Sequence, residues 1–343
     1  MANIRTLRFS LPGPPADTIR LVPFFLPFAG CPGRCVFCDQ QAQTGSGVTD
    51  LETALKDLEE RLSNTQGAFG LGLFGGTFTG LPPAWQDRFL ALAGRFRGPE
   101  WLTHLRVSTR PDRIDPGTLE RLRGYGVSMV ELGVQTFDTG VLERSGRGYD
   151  GGTAARACAM VRDSGMALGV QLLPGLPGHG PEAWREDVRL TLAQRPDAVR
   201  IYPCVVMAGT ELAEMHARGE CEPWPLDLAV AECAWALLRF REAGVRVIRL
   251  GLAGEPGMLA RLVAGPWHPA FGNMVRSLAL RHFLEQRLRA VGGRLNRIFV
   301  PARLAGELWG HARANAPALE ELGIVKERVE FWQESDFAAE LEE

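Results

Sequence analysis

The chain predicts an α/β fold built on a parallel sheet, and three observations carry that expectation. Apolar runs of strand length alternate with amphipathic helical segments, as in residues 68–74 then 85–96, and 167–173 then 181–193. Polar and Gly-rich residues recur where the strands end: Gly75-Gly76-Thr77, Ser108-Thr109-Arg110, Gly133-Val134-Gln135 and Gln171. A Cys-rich loop follows the first apolar run, so it falls on the same face, the one that carries the site in parallel α/β barrels.

The elements follow in order. Residues 21–28 are an apolar run that ends at the Cys loop. Leu51, Leu55, Leu58 and Leu62 have helical spacing behind Thr49-Asp50, a plausible N-cap. Residues 68–74 form a buried strand, and the helix 85–96 starts after Pro82-Pro83. A strand at 104–109 precedes a helix at 116–123 that Gly124 ends. The strand 127–134 is followed by the helix 154–163, closed by Gly165. The strand 167–173 runs into Pro174-Gly175-Leu176-Pro177-Gly178; then come a helix at 181–193, a strand at 198–202, a helix at 226–242 and a strand at 245–250. From 252 the alternation changes to a loop at 265–269, a helix at 271–288, a strand at 294–300, a helix at 304–315 and a strand at 325–332. The expected division is a main domain over 1–251 and a small α/β appendage over 252–343, with a frayed acidic end before Glu343.

A chain of 343 residues exceeds what one core usually absorbs, which favours a large domain plus an appendage. Net charge is −2, so no overall field draws nucleic acid or an anionic membrane. Nearly all the positive charge is Arg; the only Lys are Lys56 and Lys326. Pro23 and Pro27 interrupt the N-terminal apolar run, unlike a signal peptide. No apolar run approaches the ~20 residues of a membrane span. A cytoplasmic protein with free thiols is expected.

The chemistry is announced by Cys31-Pro-Gly-Arg-Cys35-Val-Phe-Cys38, a C-x3-C-x2-C loop. Three thiolates on one loop can converge on a metal centre. A cubane iron–sulfur cluster normally takes four Cys, so three ligands leave one iron open to a small molecule. Zinc prefers four ligands in paired groups, and the first His of the chain is His104. Disulfide scaffolds are short and Cys-dense, unlike a chain of this length with 7 Cys. Buried structural thiols suit Cys158 and Cys233 on helices better than a Pro-Gly loop.

These residues resemble a known family. The Cys loop, with an aromatic residue before its last Cys, resembles the cluster loop of radical S-adenosylmethionine (SAM) enzymes, and Gly75-Gly76-Thr77 matches their glycine motif. The stretches 74–80, 107–112, 131–135 and 175–178 resemble the radical domain of the Elongator catalytic subunit over roughly residues 20–250; oxygen-independent coproporphyrinogen oxidase is a more distant relative. The resemblance implies a partial (β/α)6 barrel, a [4Fe-4S] cluster on Cys31, Cys35 and Cys38, and SAM bound at the open iron. It also implies one-electron cleavage of SAM to a 5′-deoxyadenosyl radical, with an electron donor such as a flavodoxin or ferredoxin.

It further implies SAM contacts, residue by residue. Phe37 would lie beside adenine, or simply pack. Gly75 and Gly76 would let carbonyls approach the ammonium group, and Thr77 would extend that contact. Ser108 stands where relatives place a ribose contact, and Gln135 would face ribose or carboxylate. Arg147 would pair with the methionine carboxylate, or form a surface salt bridge. Gln171 stands where relatives often carry a carboxylate. Arg110 and Glu131 would form an ion pair.

Other residues leave alternatives open. His268, in an aromatic loop, either serves substrate as donor or acid/base or satisfies a backbone carbonyl. His179 is a weaker candidate. Cys204 either faces the cavity or packs, and the remaining Cys predict no second cluster. Arg294, Arg297, Arg303 and Arg313 could contact RNA phosphates, with a dimer interface or barrel plug as the alternative. No acyl-coenzyme-A loop is found, so acetyl transfer is not expected. The leading expectation is a radical SAM enzyme that modifies RNA, with tRNA first. The rivals are a small metabolite or tetrapyrrole substrate, and a non-catalytic cluster-binding or electron-relay protein.

Overall fold

The structure is a computed structural model that describes residues 4–14, 19–44 and 50–342. The chain forms β1 (Ile4–Phe9), β2 (Arg20–Leu26), β3 (Phe69–Gly75), β4 (Leu102–Thr109), β5 (Met129–Gln135), β6 (Ala167–Leu172) and β7 (Ala198–Ile201). It continues with β8 (Val206–Met207), β9 (Arg246–Leu250), β10 (Leu262–Ala264), β11 (Arg294–Pro301), β12 (Val329–Trp332) and β13 (Phe337–Glu342).

Seven strands make the main sheet, in the order β2-β3-β4-β5-β6-β7-β9. It curls as the partial barrel expected. Register defines its two faces. Leu73 pairs with Val107, Val107 with Val130, Val130 with Leu168, and Val170 with Val199. That row is fully buried, as a sheet covered by helices requires. One residue along, Ser108 pairs with Glu131, Glu131 with Gly169, and Gln171 with Arg200. Successive side chains alternate faces, so the opposite face carries the polar groups, beside Phe74.

Asp50 caps the helix Leu51–Ser63 by accepting from the Glu52 and Thr53 N–H groups; Thr49 lies outside the described residues. Asp115, Asp138 and Asp150 cap the helices after β4 and β5 in the same way. Beyond β7, the ribbon of β8 and β10 buries Met207 with Ala42, Val205 and Met258.

The chain divides into two compact units: Pro15–Leu226 with Val247–Trp267, and Met1–Pro14 with Asp227–Arg246 and His268–Glu343. This corrects the division expected at 251. The reason is pairing: β1 runs antiparallel to β13, which ties the first strand to the last. The acidic end is likewise not frayed. β13 is an inner strand in the order β1-β13-β11-β12, with Phe337, Ala339 and Leu341 buried against the helix Phe271–Val291 and β11. The expected helix at 304–315 is broken. Ala305–Leu308 is a single turn, and Gly310, Ala312 and Arg313 have positive φ. The Asn315 amide satisfies the freed Leu308 carbonyl at 3.1 Å.

Candidate active site around the cysteine loop

The Cys loop is seated by glycines. A Cβ on Gly76 would lie 2.0 Å from the Ala29 carbonyl oxygen, and one on Gly80 would lie 2.2 Å from that of Gly30. Only bare backbone allows this approach. Two hydrogen bonds close the seam, Gly76 N–H to the Leu26 carbonyl (2.9 Å) and Thr77 N–H to that of Ala29 (2.7 Å). Gly75, at φ 102°, turns the chain against Leu26. Whatever they contact in a ligand, Gly75 and Gly76 join β3 to the Cys loop. Val36 secures the far side, donating to the Ser145 carbonyl (3.2 Å) and accepting from Leu212 N–H (2.9 Å).

Each thiol has its own surroundings. Cys31 Sγ is 3.2 Å from the Thr77 hydroxyl. Cys35 is buried, and two guanidinium groups point at its sulfur: Arg147 Nη1 at 3.2 Å and Arg110 Nη1 at 3.9 Å. Burial and the Cys35 and Cys31 thiols push the Cys38 thiol up to about 12.

Arg147 is buried and largely committed. Its Nε and Nη2 donate to the Tyr149 hydroxyl (3.0 and 2.8 Å), and Nη2 also donates to the Gly133 carbonyl (2.5 Å). Burial opposes its charge, but Tyr149 and Cys35 more than offset that, and its pKa is raised. One Nη1 hydrogen is left for an incoming group, so a bidentate carboxylate would need rearrangement.

Gln135 ends β5 at φ 69°, an uncommon conformation for a residue with a Cβ. Its amide nitrogen would be 3.1 Å from a Cβ on Gly133, so Gln135, Gly133, Arg147 and Cys35 form one patch. Gln171 donates to the Ser108 hydroxyl at 3.0 Å, bridging β6 and β4.

Other expected positions are elsewhere. Phe37 packs against the buried cluster of Val36, Val141, Leu173 and Cys204. His268 is in the unit that holds the chain ends, where its Nδ1 accepts from Ala270 N–H (3.0 Å) and its ring lies 4.9 Å from His311. His179 sits 3.0 Å from Asp187, both buried. The expected Arg110–Glu131 pair does not form. Arg110 binds Asp112 with two bonds (2.8 and 3.1 Å), and Glu131 takes Arg200 (2.5 and 3.2 Å), which lies on β7 opposite Gln171, reached across Gly169, the side-chain-free partner of Glu131 on β6. Of the basic residues near the chain end, Arg297 pairs with Glu330 at 3.4 Å and Arg303 donates to the Ser335 carbonyl at 3.3 Å. Sequence reasoning missed Tyr149, Asp112 and Arg200; Tyr149, two residues beyond Arg147, and Asp112, two beyond Arg110, carried a local signal.

The donor set fits an iron–sulfur cluster. Among the described residues no three His, Cys, Asp or Glu gather closely enough for one metal ion. Yet the Cys31 and Cys35 thiols are near enough to Cys38 to raise it. Thiolates bound to separate irons of a cluster need that wider spacing, and buried guanidinium groups favour thiolate.

A parallel half-barrel whose first loop presents three thiols at the strand C-termini is the radical SAM architecture, and the chain belongs to the radical SAM superfamily. The Radical SAM superfamily model matches residues 25–191, and the Radical SAM C-terminal domain matches 196–279. Within it the chain is similar to the tRNA uridine(34) acetyltransferase of Methanocaldococcus jannaschii, 27% identical over 60% of this chain and 46% of the relative. It is also similar to that of Dehalococcoides mccartyi, 28% identical over 57% and 50%. The chain thus spans about half the length of the curated relatives it matches. An N-terminally shortened Methanocaldococcus infernus Elp3 shares the fold, with a TM-score of 0.57 at 22% identity over 79% of this chain and 64% of that one. The protein is an enzyme of the superfamily. No described helix is long and apolar enough to cross a membrane.

Proposed function

We propose that Cys31, Cys35 and Cys38 hold a [4Fe-4S] cluster, that SAM binds beside it, and that the enzyme modifies an RNA base, with tRNA as the leading substrate. When bound, the cluster and SAM supply a one-electron cleavage that yields a 5′-deoxyadenosyl radical for hydrogen abstraction; a flavodoxin or ferredoxin would supply the electron. The chain's own residues bind and orient. Thr77, beside Cys31, and the Gly75-Gly76 backbone would receive the methionine amino group. Ser108 and Gln171 would hold the ribose, Gln135 and the remaining Nη1 hydrogen of Arg147 the carboxylate, and Phe37 the adenine.

The observation that carries this reading is the patch of Cys35, Arg147, Gly133 and Gln135, in a chain of this superfamily whose relatives include tRNA uridine acetyltransferases. The test is anaerobic reconstitution followed by measurement of 5′-deoxyadenosine, first alone and then with tRNA transcripts. Formation that rises with tRNA, together with a mass change in the RNA, supports the proposal. A competent cluster that yields none with several reductants would leave a cluster-binding relay. Turnover that rises only with small metabolites or tetrapyrroles would replace RNA as the substrate.

A further inference from the structure

Of the three thiols, only that of Cys35 faces two guanidinium groups. Arg147 approaches it at 3.2 Å and Arg110 at 3.9 Å. Cys31 has a neutral hydroxyl, Thr77, beside it. Arg110 is itself buried, and its bonds fix both its own guanidinium and the loop that carries Arg147. It is held by Asp112 (2.8 and 3.1 Å) and donates from Nη2 to the Arg147 carbonyl, which fixes the loop that carries Arg147. Both guanidinium groups also lie over the Tyr149 ring, with centroid distances of 5.3 Å for Arg110 and 5.1 Å for Arg147. The Tyr149 hydroxyl completes the unit by donating to the Gly133 carbonyl at 2.9 Å.

We infer that Arg110 is a positioning residue which, with Arg147 and Tyr149, clamps the Cys35 sulfur and sets the reduction potential of the cluster it ligates. This rests on the cluster reading above. Reduction adds an electron to the cluster, and a buried cation or an N–H···S bond beside a ligand sulfur stabilises the reduced state. Concentrating both on one corner raises the potential. Asp112 moderates the effect, because its carboxylate offsets part of the Arg110 charge.

The test is a redox titration of the anaerobically reconstituted enzyme, followed by electron paramagnetic resonance, with iron content measured in parallel. Arg110→Met should shift the midpoint to a more negative potential at unchanged iron content, and Arg110→Lys should recover part of the shift. Asp112→Asn should move it the other way. A purely structural role predicts iron loss without this opposition of sign. Unmoved midpoints, or shifts in the same direction for Arg110→Met and Asp112→Asn, overturn the clamp while leaving the proposed function intact. If Arg110→Met fails to fold or load iron, Asp112→Asn decides alone: a positive shift supports the inference and any other result overturns it. A wild-type chain that assembles no cluster overturns both readings.

Discussion

At Gly76 one methyl group would lie 2.0 Å from the Ala29 carbonyl oxygen and 2.6 Å from its nitrogen, and neither backbone can swing aside. Gly76→Ala should therefore displace the Cys loop, cost about 1–3 kcal/mol as over-packing does, and lower bound iron several-fold on metal analysis. Gly33→Ala is the matched control from the same loop; nothing lies within 4 Å of its added Cβ, and iron should be unchanged. The buried helix thiol of Cys158 supplies a second prediction. Burial pushes it up to about 12 from 9.0. Between those values the folded chain keeps a proton that the unfolded chain has released, so stability is present below 9 and is lost as pH rises. Urea denaturation of the metal-free protein should show that loss, and Cys158→Ala should flatten part of it. Residue identities in the Cys loop were legible because spacing alone implies convergence. The contact from Arg147 to Cys35 spans 112 positions and has no linear signature. The misassigned Arg110 failed in the opposite way: its partner was two residues away, while the one expected was on the neighbouring strand.

Elements of the parallel sheet were readable because β3 is apolar throughout, β4 and β5 each carry a buried apolar row, and the helices that follow begin at Asp or Pro signals. β1 and β13 were not. β1 alternates exposed Ile4, Thr6 and Arg8 with inward Leu7 and Phe9, and β13 carries Glu340 and Glu342 between its buried residues. Such mixed strands look like solvated ends until a partner is known. Phe337 shows what that partner contributes. It is fully buried, stacked on Phe9 at 5.2 Å and beside Phe283 at 6.1 Å. Phe337→Ala should cost about 3–5 kcal/mol, visible as a lower urea midpoint for the unit that contains β13.

Taken whole, the chain crosses between its two units more than once. A truncation after Gly251, the boundary suggested by the change in pattern, removes β11 and β13 and strips β1 and most of the helix Leu226–Glu242 of the unit they belong to. That fragment should express as aggregate, and size-exclusion chromatography of the soluble fraction checks it. The whole-molecule charge of −2 gives no broad attraction for phosphate. RNA affinity should therefore rest on local phosphate contacts and fall with salt in proportion to their number, which a filter-binding series across ionic strengths would measure. The pairing of β1 with β13 also orders events in time. Residues 4–9 are made before residues 337–342, yet their hydrogen-bonding edge stays open until those later residues have been released. The half-barrel can condense earlier in translation, while this second sheet must wait for β13. A nascent chain stalled before residue 337 emerges should be protease-resistant in the barrel and cut readily at β1.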